Sequence, residues 1–146
     1  MTTARSLHIP THAASALALA LAWAGSAQAL DLTIEVLNPK LQQGSVLAAV
    51  YADPAAWLQD SRAAGALRVP VAEKTVLVFR NLQPGAHAVS LFHDENGNGV
   101  MDKTVVGLPL ERYGFSRDAR GTMGPPNFAE AAVDLQADTT ITITLK

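Results

Sequence analysis

The chain has no cysteine and no excess of positive charge, and each absence excludes a class of protein. Without cysteine among its 146 residues, it forms no disulfide, carries no cysteine-linked lipid anchor and offers no thiolate to zinc. Its 11 Lys and Arg residues face 13 Asp and Glu residues, which gives a net charge of −2. Nucleic-acid-binding proteins need a basic face that releases phosphate counterions, so we expect no nucleic acid as a partner.

The chain also lacks an apolar run long enough to span a bilayer. The run at residues 13–24 has about a dozen residues, whereas a bilayer core needs about 20. This run follows Arg5 and precedes Ser-Ala-Gln-Ala at residues 26–29, with small residues at the two positions that a signal peptidase reads. We therefore predict a signal peptide at residues 1–29, cleaved after Ala29. An uncleaved N-terminal anchor is the alternative.

Cleavage would leave residues 30–146 as one domain of an exported protein, either periplasmic or secreted, with no transmembrane segment. Arg5 is the only charged residue lost, so 11 − 1 = 10 basic side chains remain against 13 acidic ones, and the net charge becomes −3. An exported domain without disulfides often gains stability in another way, and a bound metal ion is one such way.

Most of this domain alternates apolar and polar residues with the period of a β-strand. Residues 31–37 read DLTIEVL and residues 140–145 read TITITL, so each strand has one buried and one wet face. Residues 46–52 (VLAAVYA) are apolar on both faces, as in a central strand. Six to seven short strands separated by turn signals predict an all-β fold, an antiparallel β-sandwich of Ig-like or transthyretin-like (Greek-key) type.

Two parts of the domain depart from the strand pattern. Residues 54–60 (PAAWLQD) predict one short helix, with Asp53 as its N-cap and Pro54 at its first position. Residues 94–127 contain hardly any strand pattern and are rich in glycine and proline. A compact domain seldom keeps an irregular loop of this length without a functional or ion-binding reason.

The sequence HDENGNG at residues 93–99 fits a calcium-binding loop. Its polar residues, together with a later aspartate, occupy relative positions 1, 3, 5 and 9, and Gly99 occupies position 6, where calcium loops bend sharply. Calcium prefers six to eight hard oxygen ligands, which alternate residues of a coiling loop can supply. The predicted ligands of this structural Ca²⁺ are Asp94, Asn96, Asn98, the backbone carbonyl of Val100, Asp102 and, if the chain folds back, Glu111.

The alternative is that the loop is only the turn of a β-hairpin. Asn96-Gly97 and Asn98-Gly99 are both strong turn dipeptides, because Asn and Gly tolerate positive φ. Position 12 of the calcium pattern is Val105 instead of the usual bidentate glutamate. A turn alone, however, does not require aspartates on both sides of the two asparagines.

A second cluster of aromatic, glycine and proline residues occupies the rest of the irregular segment. Tyr113, Phe115 and Phe128 in this cluster are candidates for a surface that contacts a partner, namely an envelope protein or glycan. The alternative is that these residues only hold the loop against the domain.

Ser116 is the one conceivable nucleophile of this cluster, and an envelope hydrolase that uses Ser116 and His93 is a rival hypothesis.

Three stretches in combination resemble an uncharacterised family of exported bacterial domains. They are NLQPGAHAVSLFHDENGNGVMD at residues 81–102, GLPLERYGFS at 107–116 and GPPNFAEAAVDL at 124–135. They carry the Pro-Gly turn, the HDxNxNGxxD loop, GFS and GPPxF in the order of that family, and the likeness covers roughly residues 31–146. The resemblance implies an exported β-sandwich and brings no established activity.

The sequence thus predicts an exported cell-envelope β-sandwich, a binding or accessory module stabilised by calcium and more typical of a non-enzyme. The hydrolase and a purely structural domain without an ion are the alternatives.

Overall fold

The computed structural model of the chain describes residues 28–39 and 42–146. The predicted signal peptide falls outside these ranges except for Gln28 and Ala29, so it stays a prediction. Across the described ranges, no helix has both the length and the apolar character needed to cross a membrane.

The described residues form eight β-strands, which agrees with the all-β prediction. The strands are β1 (Leu30–Leu37), β2 (Ser45–Tyr51), β3 (Gly65–Pro70), β4 (Thr75–Leu82), β5 (Gly85–Asp94), β6 (Tyr113–Phe115), β7 (Val133–Leu135) and β8 (Thr139–Thr144).

The strands build two sheets. One sheet has the order β4-β1-β8, and the other has the order β3-β2-β5-β6, with β7 paired to the start of β5. Neighbouring strands are antiparallel with one exception, since β1 and β8 run parallel from Leu32↔Thr139 to Leu37↔Thr144. The smaller sheet is therefore mixed, whereas the sequence predicted antiparallel strands throughout. The Ig-like or transthyretin-like topology stays a prediction.

The main core contains the inward-facing residues of the strands. Every second residue of β1 is buried, and β2 and β4 show the same alternation, as expected for strands with one face against a core. The largest fully buried aliphatic side chains of this core are Leu30, Leu32, Ile34, Val46, Val50, Leu77, Val89, Leu135, Ile143 and Leu145.

A second apolar cluster packs on the opposite face of the larger sheet. Tyr51 and Ala88 pair across β2 and β5 and are next in sequence to the core residues Val50 and Val89, so alternation directs their side chains away from the main core. We call this group the outer cluster, and its buried members are Tyr51, Ala56, Ala88, Phe115, Phe128 and Ala131. The irregular parts of the chain supply half of it and thereby cover one end of the sheet.

The helix expected at residues 54–60 does not form as predicted. Single 3₁₀ turns occupy Pro54–Ala56 and Asp60–Arg62 instead, and Asp53 caps the first by accepting from the N–H of Ala55 at 2.9 Å. Leu58 between them has a φ of +58°, which interrupts a helix.

The α-helix of the described chain, α1 (Phe128–Ala131), begins directly after the segment predicted to be irregular. Asn127 and Glu130 form a capping box around its first turn.

Candidate functional site

The candidate loop begins where β5 ends. Asp94 is the last residue of β5, is fully buried, and pairs with Ser45 of β2. The backbone of Gly44 packs so closely here that a Cβ at this position would lie 2.3 Å from the carbonyl oxygen of Asp94. Because Gly44 also has a φ of +77°, only glycine fits this position without rearrangement. The sheet therefore fixes the first residue of the loop.

The carboxylate of Asp94 organises the loop backbone. Its Oδ1 accepts from the N–H of Gly97 at 2.7 Å, and its Oδ2 accepts from the N–H of Gly99 at 3.0 Å. Arg68 of β3 also donates to Oδ2 at 3.0 Å. Burial of a carboxylate is costly without hydrogen-bond partners, and here all three partners come from groups that close around it.

The three other loop side chains of the predicted ligand set meet one another. Asp102 Oδ2 accepts from the amide of Asn96 at 2.6 Å, and both Asp102 oxygens accept from the amide of Asn98 at 3.1 and 3.2 Å. The amide oxygen of each asparagine accepts a backbone N–H two residues further on, from Asn98 and Val100 respectively. Positions 3, 5 and 9 of the calcium pattern therefore converge at one point.

Glu111 does fold back against the loop, as its assignment as a ligand required. It is 7% exposed; its Oε1 accepts from the N–H of Glu95 at 2.9 Å, and its Oε2 accepts from the N–H of Asp102 at 3.2 Å. The carboxylate of Glu111 thus links the two ends of the loop, at Glu95 and Asp102. Residues 95–102 are held between two buried carboxylates, those of Asp94 and Glu111.

The acidic side chains do not by themselves form a metal cage. Within residues 28–39 and 42–146, no three His, Asp or Glu side chains are grouped so that they could hold a metal ion. An ion at this loop would therefore need amide and backbone oxygens in addition, including the carbonyl of Val100.

The backbone geometry that a hairpin turn requires is also present. Gly97 and Gly99 have φ values of +80° and +78°, as expected for Asn-Gly turns. A calcium loop uses glycine in the same way at its bend, so this geometry does not separate the two hypotheses.

Two of the three expected partner-surface residues are buried. Phe115 and Phe128 are each 8% exposed and belong to the outer cluster, where the ring of Trp57 lies 5.9 and 6.0 Å from theirs. Only Tyr113 reaches the surface, at 36% exposure, beside a cleft of about 200 Å³ that Arg120 and Lys146 also line. The aromatic residues therefore mainly hold the segment to the domain, and a partner could contact Tyr113 alone.

The structure does not bring Ser116 and His93 together. Ser116 is fully buried, and its hydroxyl accepts from the N–H of Val89 at 2.9 Å and donates to the carbonyl of Ala131 at 2.5 Å. His93 Nε2 instead bonds to the carbonyl of Gln43 at 2.6 Å. Val89 and His93 are four residues apart on β5, which is about 13 Å along a strand. Ser116 therefore links loop backbone to the sheet, in an arrangement unlike that of an activated nucleophile.

Arg68 is a site residue that sequence reasoning missed. It lies 26 positions before Asp94 and reaches it because β3 and β5 flank β2 in the larger sheet. Only the pairing order of the strands reveals this contact, and no local motif carries that information.

A family model matches residues 34–143, about three quarters of the chain. The family is described as "Uncharacterized protein conserved in bacteria (DUF2141)". The matched range begins inside β1 and ends inside β8, so it contains the candidate loop and nearly all of both sheets. No curated protein and no solved structure matches the chain significantly.

Proposed function

The chain belongs to this family of uncharacterized bacterial proteins, and we propose that it is an exported cell-envelope β-sandwich module stabilised by one calcium ion. The observation that carries the proposal is that the side chains of Asn96 and Asn98 both meet the carboxylate of Asp102, in a loop whose backbone Asp94 holds. A hairpin turn requires only the Asn-Gly pairs and gives no reason for Asp102 to close the loop.

The donor set suits calcium better than a transition metal. Carboxylate, amide and backbone carbonyl oxygens are hard ligands, which calcium prefers over the nitrogen and sulfur ligands favoured by zinc and copper. The amide oxygens of Asn96 and Asn98 each have two lone pairs, so an oxygen that accepts a backbone N–H can still coordinate an ion. Two neutral asparagines in the set predict weak affinity, near that of extracellular calcium modules.

The charge balance of the loop also favours a cation. Asp94, Glu95, Asp102 and Glu111 lie within 18 consecutive residues and contribute four carboxylates. Lys103, within the same residues, and the guanidinium of Arg68, which contacts Asp94, offset two of these charges. A divalent cation near Asp102 would offset two more, while Arg68 continues to pair with Asp94.

The proposed role of the ion is to fix the start of the long loop. Residues 95–112 contain no strand and are held by the carboxylates of Asp94 and Glu111. Export is supported by the apolar run and small residues before Ala29. The module would then present its loops to an envelope component, either a protein or a glycan.

Thermal unfolding in EDTA and in calcium tests this proposal. The protein is purified after export and melted in each buffer. With about 5 mM calcium and a dissociation constant of about 0.1 mM, linkage gives about 2 kcal/mol of stabilisation, which raises Tm by several degrees. Magnesium at the same concentration should give a smaller rise, because it releases its bound water less readily.

Two aspartate variants make the test specific. Asp102→Asn should abolish the response to calcium, because it removes a charge at the point of convergence. Asp134→Asn makes the same change at an exposed residue of β7 and should respond like the wild type. Equal melts of the wild-type protein in both buffers would leave the loop as a turn only.

A further inference from the structure

Beyond the candidate loop, the chain forms a small hairpin at residues 102–110. Lys103 and Pro109 form an antiparallel bridge, and the N–H of Leu110 donates to the carbonyl of Asp102 at 2.8 Å. Toward the tip, the N–H of Thr104 donates to the carbonyl of Leu108 at 2.8 Å. The N–H of Gly107 donates to the carbonyl of Thr104 at 2.9 Å. We call residues 104–110 the hairpin tip.

The hairpin tip presents large aliphatic side chains to solvent. Val105 is 106% exposed and Val106 is 76% exposed, while Leu108 and Leu110 on the returning arm are 62% and 61% exposed. Single exposed apolar residues are ordinary on a protein surface, but four within six residues form a patch. The exposure is greatest at the apex, so the patch is convex and projects away from the domain.

Part of the tip backbone is hydrogen-bonded within the hairpin. Besides the backbone bonds across the hairpin, the N–H of Leu108 donates to the hydroxyl of Thr104 at 3.0 Å. An element that enters a poorly hydrated environment must satisfy its polar backbone groups internally. The hairpin tip meets this requirement in part, at the N–H groups of Thr104, Gly107, Leu108 and Leu110, while keeping its large side chains outward.

The charges around the tip change sharply at its base. Residues 104–110 carry no charged side chain, and the exposed cation of Lys103 stands immediately before them. Val105 lies three positions after Asp102, which gives a reach of about 10 Å for an extended arm. Elements that lie in a membrane interface insert their apolar side about 5–10 Å, with basic residues at the level of the phosphates.

We propose that the hairpin tip inserts into the surface of a phospholipid bilayer, with Lys103 against the lipid phosphates. This proposal rests on the envelope location proposed above and replaces an unidentified partner with a lipid surface. The carboxylates of Asp102 and Glu111 lie at the base of the hairpin and repel anionic headgroups. A calcium ion in the loop reduces this repulsion, so calcium strengthens the insertion without being the source of its apolar contacts.

A bilayer fits these features better than a protein partner does. Protein interfaces usually have aromatic and arginine residues at their centre, whereas the hairpin tip has neither and consists of Thr104 followed by valine, leucine and proline residues around Gly107. A convex aliphatic tip needs no complementary pocket when the partner is a fluid lipid layer.

Cosedimentation with lipid vesicles tests the proposal. The exported protein is mixed with vesicles of phosphatidylethanolamine and phosphatidylglycerol in a three-to-one ratio, in EDTA and in calcium. We expect the wild type to sediment with vesicles in both buffers, and more strongly in calcium. Val105→Asp combined with Val106→Asp should reduce partitioning more than tenfold, since each aliphatic side chain withdrawn from water contributes about a tenfold factor.

The matched control is Met123→Asp, which places the same charge at another fully exposed apolar residue, outside the hairpin. It should sediment like the wild type, and unchanged melting temperatures should show that all variants are folded. A wild type that stays in the supernatant in both buffers overturns the proposal. So does equal loss in the Met123→Asp variant, or a tip that only drives self-association in size-exclusion chromatography.

These outcomes separate the two proposals. Vesicle binding that is equal in EDTA and calcium, together with equal melts, would remove the calcium site and keep the lipid-binding tip. A calcium-dependent melt without vesicle binding would do the reverse.

Discussion

The two halves of the chain between β5 and β7 are held to the domain by different forces. In the first half, residues 95–112, the carboxylates of Asp94 and Glu111 accept backbone N–H groups, and the large apolar side chains point to solvent. In the second half, residues 116–132, Phe128 is buried in the outer cluster. The first half is therefore held by hydrogen bonds to carboxylates, and the second is held mainly by burial of apolar side chains.

This difference predicts which changes in solution conditions or in sequence will open each half. Burial of apolar surface depends little on salt or ions, so the second half should follow the stability of the whole domain. Hydrogen bonds to charged groups depend on every partner being present, so the first half can open alone when one carboxylate is lost. The second half also has polar anchors, because Ser116 accepts from the N–H of Val89 at 2.9 Å and Asp118 accepts from the N–H of Thr144 at 2.8 Å.

The largest expected effect comes from Phe128→Ala. This change removes a buried ring that lies 6.0 Å from Trp57, and we expect a loss of about 3–5 kcal/mol in the free energy of unfolding. Urea titration measures the loss, and hydrogen exchange should show residues 95–102 still protected in the folded protein. Loss of protection in both halves to the same extent would mean that they form one cooperative unit.

A smaller and more local effect is expected for Glu111→Gln. The Gln side chain has one acceptor oxygen in place of two, so the N–H of either Glu95 or Asp102 would face an amide NH₂ group. We expect a loss of about 2 kcal/mol, seen as faster amide exchange in residues 95–110. Glu130→Gln is the control, since Glu130 is exposed at the cap of α1 in the second half. Faster exchange at α1 in Glu111→Gln would contradict the separation of the halves.

The smallest effect concerns Tyr51 of the outer cluster. Burial, followed by the hydrogen bond to Asp60 and its charge, raises the pKa of Tyr51 from 10.0 to about 12. The unfolded chain therefore loses this proton first, so the stabilisation is complete below about pH 10 and is lost as the pH rises from about 10 to 12.

Tyr51→Phe should remove this dependence and cost about 1 kcal/mol near neutral pH, because the 2.9 Å bond to Asp60 is lost. The measurement is the difference in unfolding free energy between the two proteins from neutral pH to about pH 11. A difference in unfolding free energy that does not change with pH would show that folding does not raise the pKa of the Tyr51 hydroxyl.

The sequence predicted the strands well because their signal is local. Alternation in residues 31–37 and 140–145 corresponds to β1 and β8, and the family that the chain resembles is the one whose model matches. The loop residues 94–102 could also be chosen from spacing alone, since loop ligands lie close together in the chain.

Other features could not be predicted from short stretches of the sequence. The parallel pairing of β1 with β8 and the contact of Arg68 with Asp94 depend on strand order, which no short pattern encodes. Phe115 and Phe128 were expected on a surface because they lie between glycines and prolines, yet the outer face of the larger sheet buries them. The capping box at Asn127 and Glu130 was a local signal for α1, and it was overlooked.

The pairing of β1 with β8 has a consequence for how the protein matures. Leu32 finds its partner Thr139 more than 100 residues later in the chain, so the smaller sheet closes only after almost the whole domain is available. Contacts between such distant residues form slowly, because the intervening loop must be closed first. During synthesis, β1 lacks this neighbour until β8 has been made. The order of the strands along the chain therefore sets the time at which the smaller sheet can be completed.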